Sequence, residues 1–311
     1  MKQHHDMTRR SFLSGAVKAG AVGLAGSQLA GPYLAAQEQK TMDAWQIGCF
    51  TRPWDKEDYR VALDAIAEAG FKHAGLMTAK AKNNLVISVD TTPEEAAAVG
   101  AECKQRGLQI PSVYGGGIPV EQSLEAGIAG MKKLIDNCAA AGAENLMMGG
   151  IGDEKLFDVY YKAIAESCDY AKEKGLGGIS VKPHGGLNAT GPQCRKTIET
   201  VGHDNFRIWY DPGNIFYYSD ATLDPVDDAA TVDGLVVGMS VKDYQHPKEV
   251  LLTPGTGMVD FPKVMARLKQ GGFTGGALVI ECLAPGTLPE LLEEAKKARA
   301  FVENLVAENK V

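Results

Sequence analysis

The sequence lacks several features that mark common classes of protein. It has six cysteines in 311 residues but no Cys-x-x-Cys pair, so its spacing signals neither a zinc site nor a dense disulfide framework. No Gly-x-Gly-x-x-Gly follows the first apolar segment, where Cys-Phe-Thr-Arg stands at 49–52, and this disfavours a dinucleotide-binding sheet. There is no excess of positive charge either. The formal net charge of −7 argues against a nucleic-acid partner, which needs a basic face.

What is present is the composition of an ordinary globular protein, with 45% hydrophobic and 23% charged residues. The chain is long enough for one large core, such as a (β/α)8 barrel of about 250 residues. The cysteines are scattered, and several fall within predicted strands or helices. We therefore predict buried free thiols at Cys49, Cys103, Cys138, Cys168, Cys194 and Cys282.

The first forty residues differ from the rest and predict an export signal. Thr-Arg-Arg-Ser-Phe-Leu-Ser at 8–14 resembles a twin-arginine signal, and the weakly apolar run at 15–30 is too interrupted for a stable membrane span. We predict that residues 1–40 are a signal and processing region and that the mature protein is periplasmic or otherwise extracytoplasmic. Replacing both Arg9 and Arg10 by Lys should retain the precursor in the cytoplasm. Normal processing of that variant, followed in cell fractions, would contradict the prediction.

From residue 41 to residue 311, short apolar segments alternate with longer amphipathic ones. This alternation predicts a parallel sheet, and eight such units favour a closed barrel over an open sheet. We predict a single-domain α/β protein with the (β/α)8 TIM-barrel fold. The predicted strands are 45–50, 73–77, 109–114, 145–149, 178–182, 206–210, 235–242 and 277–281.

Helical patterns fill the intervals between the predicted strands. Several end at a glycine just before the next strand, where glycine can adopt the left-handed conformation that terminates a helix. Pro93 and two acidic residues mark the start of the second helix. The predicted helices are 55–69, 92–107, 120–141, 154–174, 191–201, 221–232, 261–269 and 288–305.

Polar residues cluster at the carboxyl ends of the predicted strands, where TIM barrels place their active sites. If the barrel forms, these residues share one mouth. Burying so many charges together is costly unless a metal or mutual pairing compensates, which favours a functional site. The residues concerned include Trp54, Tyr114, Lys182, His184, Asp211, Asn214, Lys242 and Glu281.

Five motifs between about residue 45 and residue 305 resemble the sugar phosphate isomerase/epimerase, or xylose isomerase-like, superfamily. They are Lys-Pro-His-Gly-Gly at 182–186, Trp-Tyr-Asp-Pro-Gly-Asn at 209–214, Val-Lys-Asp at 241–243, Gly-Thr-Gly-Met-Val-Asp-Phe at 255–261 and Ile-Glu at 280–281. The resemblance implies a TIM barrel and one divalent cation. It also implies that the cation is held by Glu on strand five, Asp on strand six, His on strand seven and Glu on strand eight.

Two of those four ligands are present in this sequence. Asp211 and Glu281 match, but Lys182 stands in place of the strand-five Glu and Ser240 in place of the strand-seven His. Three accounts of Lys182 remain open. In the first, His184 joins Asp211 and Glu281 around an ion such as Mn, Co, Fe or Zn. In the second, the lysine ammonium replaces the metal as a point charge. In the third, the lysine is a base with a lowered pKa.

The resemblance implies an enzyme that transfers a proton next to a sugar carbonyl, by isomerisation, epimerisation or elimination (a lyase reaction). Such chemistry needs a base and an electrophile, and Lys182, His184 and Glu281 are the catalytic candidates. Predicted export favours a free or glycosidic sugar over a sugar phosphate. The predicted substrate-binding residues are Trp54 and Tyr114, which would stack on the sugar, together with Asn214 and Lys242.

Two alternatives belong to other classes. The first is a sugar-binding barrel without catalytic activity, which turnover of keto-sugars would distinguish from an enzyme. The second is an endonuclease-IV-like phosphodiesterase, which shares this fold but needs more metal ligands. Outside the predicted signal the chain has only four histidines, which disfavours the second alternative: His73, His184, His203 and His246.

Overall fold

Eight parallel strands surround a common axis in the computed structural model, which describes residues 44–81 and 83–308. The predicted export signal lies outside these described residues. The (β/α)8 fold expected from the sequence is confirmed. The strands are β1 (Trp45–Phe50), β2 (His73–Gly75), β3 (Val113–Tyr114), β4 (Asn145–Met148), β5 (Gly178–Val181), β6 (Phe206–Tyr210), β7 (Val236–Val241) and β8 (Gly276–Ile280).

Hydrogen bonding runs around the barrel in the order β2-β1-β8-β7-β6-β5-β4-β3. Between β2 and β3 the ring is completed by single bridges, His73 to Gln109 and Leu76 to Val113, rather than by a continuous ladder. Both strands are therefore shorter than predicted. Pro111 accounts for part of this difference, because a proline has no N–H to donate to a neighbouring strand.

Helices cover the outside of the barrel, and several of them begin with a side-chain cap. In the helix Gly191–Val201, for example, Thr190 and Gln193 form a reciprocal capping box. The helices are α1 (Tyr59–Glu68), α2 (Pro93–Gln105), α3 (Leu124–Ala141), α4 (Phe157–Ala165), α5 (Cys168–Glu173), α6 (Gly191–Val201), α7 (Pro212–Tyr218), α8 (Pro225–Ala229), α9 (Phe261–Gln270) and α10 (Leu288–Glu308).

The helix α7 was not predicted, because Asp-Pro-Gly-Asn also fits a turn. Asp211 is its N-cap, and the side chain accepts a hydrogen bond from the backbone N–H of Asn214. Pro212 then occupies the first helical position, where its missing N–H costs nothing. Gly213 lets this turn pack closely on β7, since a Cβ there would lie 2.6 Å from the carbonyl oxygen of Lys242.

Two other helical segments differ from the prediction. Residues 154–174, predicted as one helix, form a short 3-10 turn followed by α4 and α5. Residues 221–232 contain only the short helix α8 and a 3-10 turn at Ala230–Val232. Both segments lie on the outer layer, where packing on the barrel decides how long a helix persists.

Apolar side chains fill the interior of the barrel and, in a larger layer, the space between the strands and the helices. Aromatic rings meet in the interior, where the centroids of Phe50 and Trp209 lie 6.3 Å apart. This interior cluster lies beneath the residues at the carboxyl ends of the strands. It consists of Phe50, Met77, Met147, Trp209, Ala277 and Val279.

All six cysteines are buried and unpaired, which confirms the prediction of free thiols. Burial raises the pKa of Cys103, Cys138 and Cys168 to about 12. These thiols therefore stay protonated at neutral pH. Within the described ranges, no helix is long and apolar enough to cross a membrane.

Candidate active site

Four charged residues each occupy the first position after a strand. Lys182 follows β5, Asp211 follows β6, Lys242 follows β7 and Glu281 follows β8. Because the strands are parallel and adjacent, this shared position brings the four side chains to one mouth of the barrel. All four are at most 5% exposed.

Lys182 bridges the two carboxylates. Its Nζ atom lies 2.9 Å from Oδ2 of Asp211 and donates a hydrogen bond to Oε2 of Glu281. Ser240, on β7, also donates to Oε2 of Glu281, at 2.8 Å. Trp209 in turn donates its indole N–H to the Ser240 hydroxyl at 3.2 Å. Hydrogen bonds from uncharged groups therefore help to hold the Glu281 carboxylate in place, in addition to its ion pairs.

Lys242, which follows β7, is the second lysine that pairs with the Glu281 carboxylate. Its Nζ atom donates to Oε1 of Glu281 at 3.0 Å and to Oδ1 of Asn214 at 2.8 Å, and it lies 3.9 Å from Oδ2 of Asp211. The amide of Asn214 donates to the carbonyl oxygen of Pro183 at 2.6 Å, which fixes its orientation. Asn214 therefore positions the second ammonium group.

Arg52, at the end of β1, is a site residue that the sequence did not single out. Its Nη1 atom donates to Oε1 of Glu281 at 3.2 Å and also contacts the sulfur of Cys282. The side chain is half-buried, with 28% of its surface exposed. It lies two residues after β1, in the Thr-Arg-Pro-Trp segment at 51–54, and this place at the mouth of the barrel was the available signal.

The cluster holds three cationic groups and two carboxylates, which leaves it with a net positive charge. Burial alone would raise the pKa of Glu281, but Lys182, Lys242 and Arg52 together hold that pKa well below its usual range. Burial would lower the pKa of Lys242, but Glu281 and Asp211 raise it above its ordinary value. At neutral pH, Glu281 is therefore a carboxylate and Lys242 an ammonium ion.

A cavity of about 330 Å³ opens above the cluster. His184 and Tyr218 line it with ring centroids 6.0 Å apart, and Tyr114 lies 6.0 Å from His184 on the other side. Burial raises the pKa of Tyr114 to about 12, so its hydroxyl remains a hydrogen-bond donor. The cavity also contacts Lys182, Lys242 and Glu281, so a ligand inside it would touch both aromatic rings and charges.

His184 is uncharged at neutral pH. His184 is an exposed residue, yet the atoms packed around its imidazole remove part of the ring's hydration. This desolvation, followed by repulsion from Lys182, lowers its pKa to about 4. A neutral imidazole can accept a proton, so His184 is the group in this cavity best suited to act as a base.

The pH dependence of the protein should reflect this low pKa. As the pH falls through about 4, His184 becomes protonated, and kcat/KM of the free enzyme should fall with it. Because the unfolded histidine takes up its proton near pH 6.5, stability should also decline as the pH falls from about 6.5 toward 4. A pH–rate profile and denaturation curves test both effects.

His184→Gln is the matched variant for this prediction. It should lose about 10²–10⁴-fold in activity, and its stability should depend less on pH in the same window. A variant that keeps both wild-type activity and the wild-type acid limb would contradict the prediction.

Trp54 lies apart from this cavity. The indole is only 2% exposed and packs into the core. Stacking of Trp54 and Tyr114 on a sugar therefore stays a prediction, with Tyr114 at the wall of this cavity and Trp54 outside it. Of the other predicted residues, the structure brings Lys182, Asp211, Asn214, Lys242 and Glu281 into contact and places Tyr114 and His184 at the cavity wall.

The donor set does not fit a divalent cation. Asp211 and Glu281 come together as predicted for a metal site, but the Lys182 ammonium lies between their oxygens. A divalent ion beside two ammonium groups would be repelled by both. Among residues 44–81 and 83–308, no group of three or more His, Cys, Asp and Glu side chains is arranged to hold a metal. The predicted set of His184, Asp211 and Glu281 therefore lacks geometric support.

Comparison with solved structures shows the same fold at low identity. A xylose isomerase-like TIM barrel protein from Mycobacterium smegmatis, in complex with magnesium, is 16% identical with a TM-score of 0.68, over 86% of this chain and 98% of that one. A xylose isomerase domain protein from Planctomyces limnophilus is 19% identical with a TM-score of 0.65, over 84% and 97%. A D-allulose 3-epimerase from Methylomonas sp., in complex with D-allulose, is 16% identical with a TM-score of 0.65, over 84% and 97%.

Comparison of the sequence with curated proteins and with models of protein families identifies the family of this chain. No curated protein matches the chain significantly. The model of one family, described as xylose isomerase-like TIM barrel, matches residues 63–305, well over half of the chain. The matched range includes the strand ends that carry Lys182, Asp211, Lys242 and Glu281. The chain therefore belongs to the xylose isomerase-like TIM barrel family.

Proposed function

We propose that the protein is an enzyme that transfers a proton next to the carbonyl of a sugar or sugar derivative, resulting in isomerisation, epimerisation or elimination. Its family and its structural neighbours, among them sugar epimerases, support this class of reaction. The observation that carries the proposal is the Lys182 ammonium between Asp211 and Glu281, beside Lys242 and beneath the cavity. Two fixed cations there would stabilise the oxyanion that forms when the proton leaves.

The electrophile in this proposal is the ammonium pair. Removing a proton from the carbon next to a carbonyl moves an electron pair onto the carbonyl oxygen and gives an enediolate. Lys182 and Lys242 are oriented by Glu281 and Asn214 before substrate binds, so they need little reorganisation as the charge develops. Preorganised charge of this kind in a water-poor site is usually a large part of catalysis.

The base in this proposal is His184, because it is neutral at pH 7 and faces the cavity. In isomerisation it would move the carbon-bound proton to the neighbouring carbon while the hydroxyl proton passes to the carbonyl oxygen. In epimerisation it would remove the proton from one face while a donor on the opposite face returns one to the same carbon, and in elimination it would pass the proton to the leaving group. Tyr114 would donate a hydrogen bond to a substrate oxygen, since its hydroxyl stays protonated.

Solvent exchange tests the proposal directly. The purified protein would be incubated in D₂O with ketoses, including D-fructose and D-allulose, and with keto-sugar glycosides. Deuterium entering next to the carbonyl, followed by NMR, is the expected result. No exchange and no turnover with any sugar, together with measurable sugar binding, would instead support a binding protein without activity.

Chelation separates the ammonium electrophile from a metal. Because Lys182 occupies the place between the carboxylates, dialysis against EDTA should leave both the exchange rate and the melting temperature unchanged. Loss of activity on chelation that a divalent ion restores would show that the electrophile is a metal. The proton-transfer reaction itself would stand in that case.

A further inference from the structure

A second cavity, of about 410 Å³, adjoins the cavity above the charged cluster, which is the polar cavity of the proposed reaction. Arg52 and Glu281 line both cavities, so the two spaces meet at this pair. The second cavity lies between the turn after β1, the segment after β8 and the start of α10. Its volume is within the range of sites for small organic ligands.

The second cavity has a wall of apolar side chains in addition to its polar groups. Leu251 and Leu288 stand on its walls with 47% and 44% of their surfaces exposed, and Leu283 and Leu291 lie buried in its lining. Of the five most exposed large hydrophobic residues in the described ranges, two thus line this one space. Apolar side chains gathered in a concave space beside a charged site are a recognised sign of a ligand subsite.

Polar groups line the second cavity as well. The sequence Asp-Lys-Glu at 55–57 lies on one side, and the Arg52–Glu281 ion pair forms the boundary with the polar cavity. A free monosaccharide in the polar cavity would leave Leu251 and Leu288 in water. A sugar with an apolar substituent would cover them and place its polar ring over the ammonium groups.

We infer that the second cavity binds the apolar aglycone of a keto-sugar glycoside, whose ring carries a ketone and occupies the polar cavity. This inference rests on the proposed function, because it names the class of sugar derivative that the site would take. Recognition would be divided: hydrogen bonds and charge for the ring, and burial of apolar area for the aglycone. The substituent would leave the ring on the side of Arg52.

Calorimetric titration with paired ligands tests this inference. The probes are the methyl and phenyl β-glycosides of glucose, galactose and xylose, titrated into the full-length protein as unreactive analogues that lack the ketone. For at least one sugar, the phenyl glycoside should bind about tenfold more tightly than the methyl glycoside, a difference of about 1.4 kcal/mol. Leu288→Asp should remove this preference without weakening binding of the methyl glycoside.

Leu223→Asp is the matched control, because Leu223 is 40% exposed and does not line this cavity. It should leave the preference intact. Folding of Leu288→Asp is not at risk, since Leu288 opens α10, where an acidic residue suits the helix dipole. Equal binding of the two glycosides, or no binding of either, would overturn the inference. Turnover of an unsubstituted ketose by the same preparation would then show that the proposed function still holds.

Discussion

Lys182→Met should lower kcat/KM by about 10²–10³-fold, the range seen when one preorganised oxyanion donor is removed. In the proposed mechanism, Lys182 is one of two cations that would face the developing enediolate. Lys242 remains in the variant and still pairs with Glu281 at 3.0 Å, so some activity should survive. Steady-state kinetics on the best substrate from the exchange experiment measures the loss.

The same substitution should also destabilise the protein. Removing one partner of a buried ion pair typically costs about 3–5 kcal/mol, because the other charge is left uncompensated. We expect a value near the lower end, since Lys242 and Arg52 still contact Glu281. Urea unfolding measures this loss, and circular dichroism checks that the variant is folded when its kinetics are measured.

Lys172→Met is the control for both measurements. Lys172 is exposed in α5, away from the strand ends, and its loss should change stability by less than about 0.5 kcal/mol. A folded Lys182→Met variant with wild-type kcat/KM would remove this lysine from the mechanism.

Glu281→Gln should have a comparable effect on stability, of about 3–5 kcal/mol at pH 7. Glu281 is the common partner of Lys182, Lys242 and Arg52, and its neutral replacement would leave three cations facing the single carboxylate of Asp211. Activity should fall as well, because Glu281 orients both ammonium groups.

The direction in which the unfolding free energy changes with pH shows whether the Glu281 carboxylate is responsible for this stabilisation. The pKa of Glu281 is lowered in the folded protein, so its stabilisation is fully present above about pH 4.3, the usual value for an unfolded glutamate. It is lost as the pH falls through the lower, folded value. The gap in unfolding free energy between wild type and Glu281→Gln should therefore be widest near pH 7 and narrow in acid. A gap that is constant from pH 7 down to pH 3 would contradict this, and Glu173→Gln, at an exposed site, should show almost no gap.

The sequence was sufficient to predict the barrel and to bring most of the site together. Apolar segments of strand length recur eight times, and Asp211 and Glu281 follow two of them directly. Since all strands of a TIM barrel point the same way, knowing where a strand ends is enough to place the next residue at the mouth. Arg52, two residues after β1, reaches the same mouth.

The sequence could not predict side-chain contacts between residues on different strands of the barrel. It left three accounts of Lys182 open, because nothing local states whether its ammonium reaches Asp211, Glu281 or neither. The ring of His184 lies between Tyr114 and Tyr218, which come from β3 and α7, so its position is set by residues distant in the sequence. Trp54 also follows a strand, but its side chain packs into the core, because the apolar residues around it provide a buried site.

The unpaired cysteines have a consequence for where the protein can function. No thiol among the six is paired, and all are buried, so the fold does not depend on oxidation or reduction of sulfur. Thiol–disulfide exchange requires an accessible thiolate, and burial raises the pKa of these thiols instead. The barrel should accordingly have the same stability in glutathione buffers of reducing and oxidising poise, and it would keep one structure on either side of a membrane.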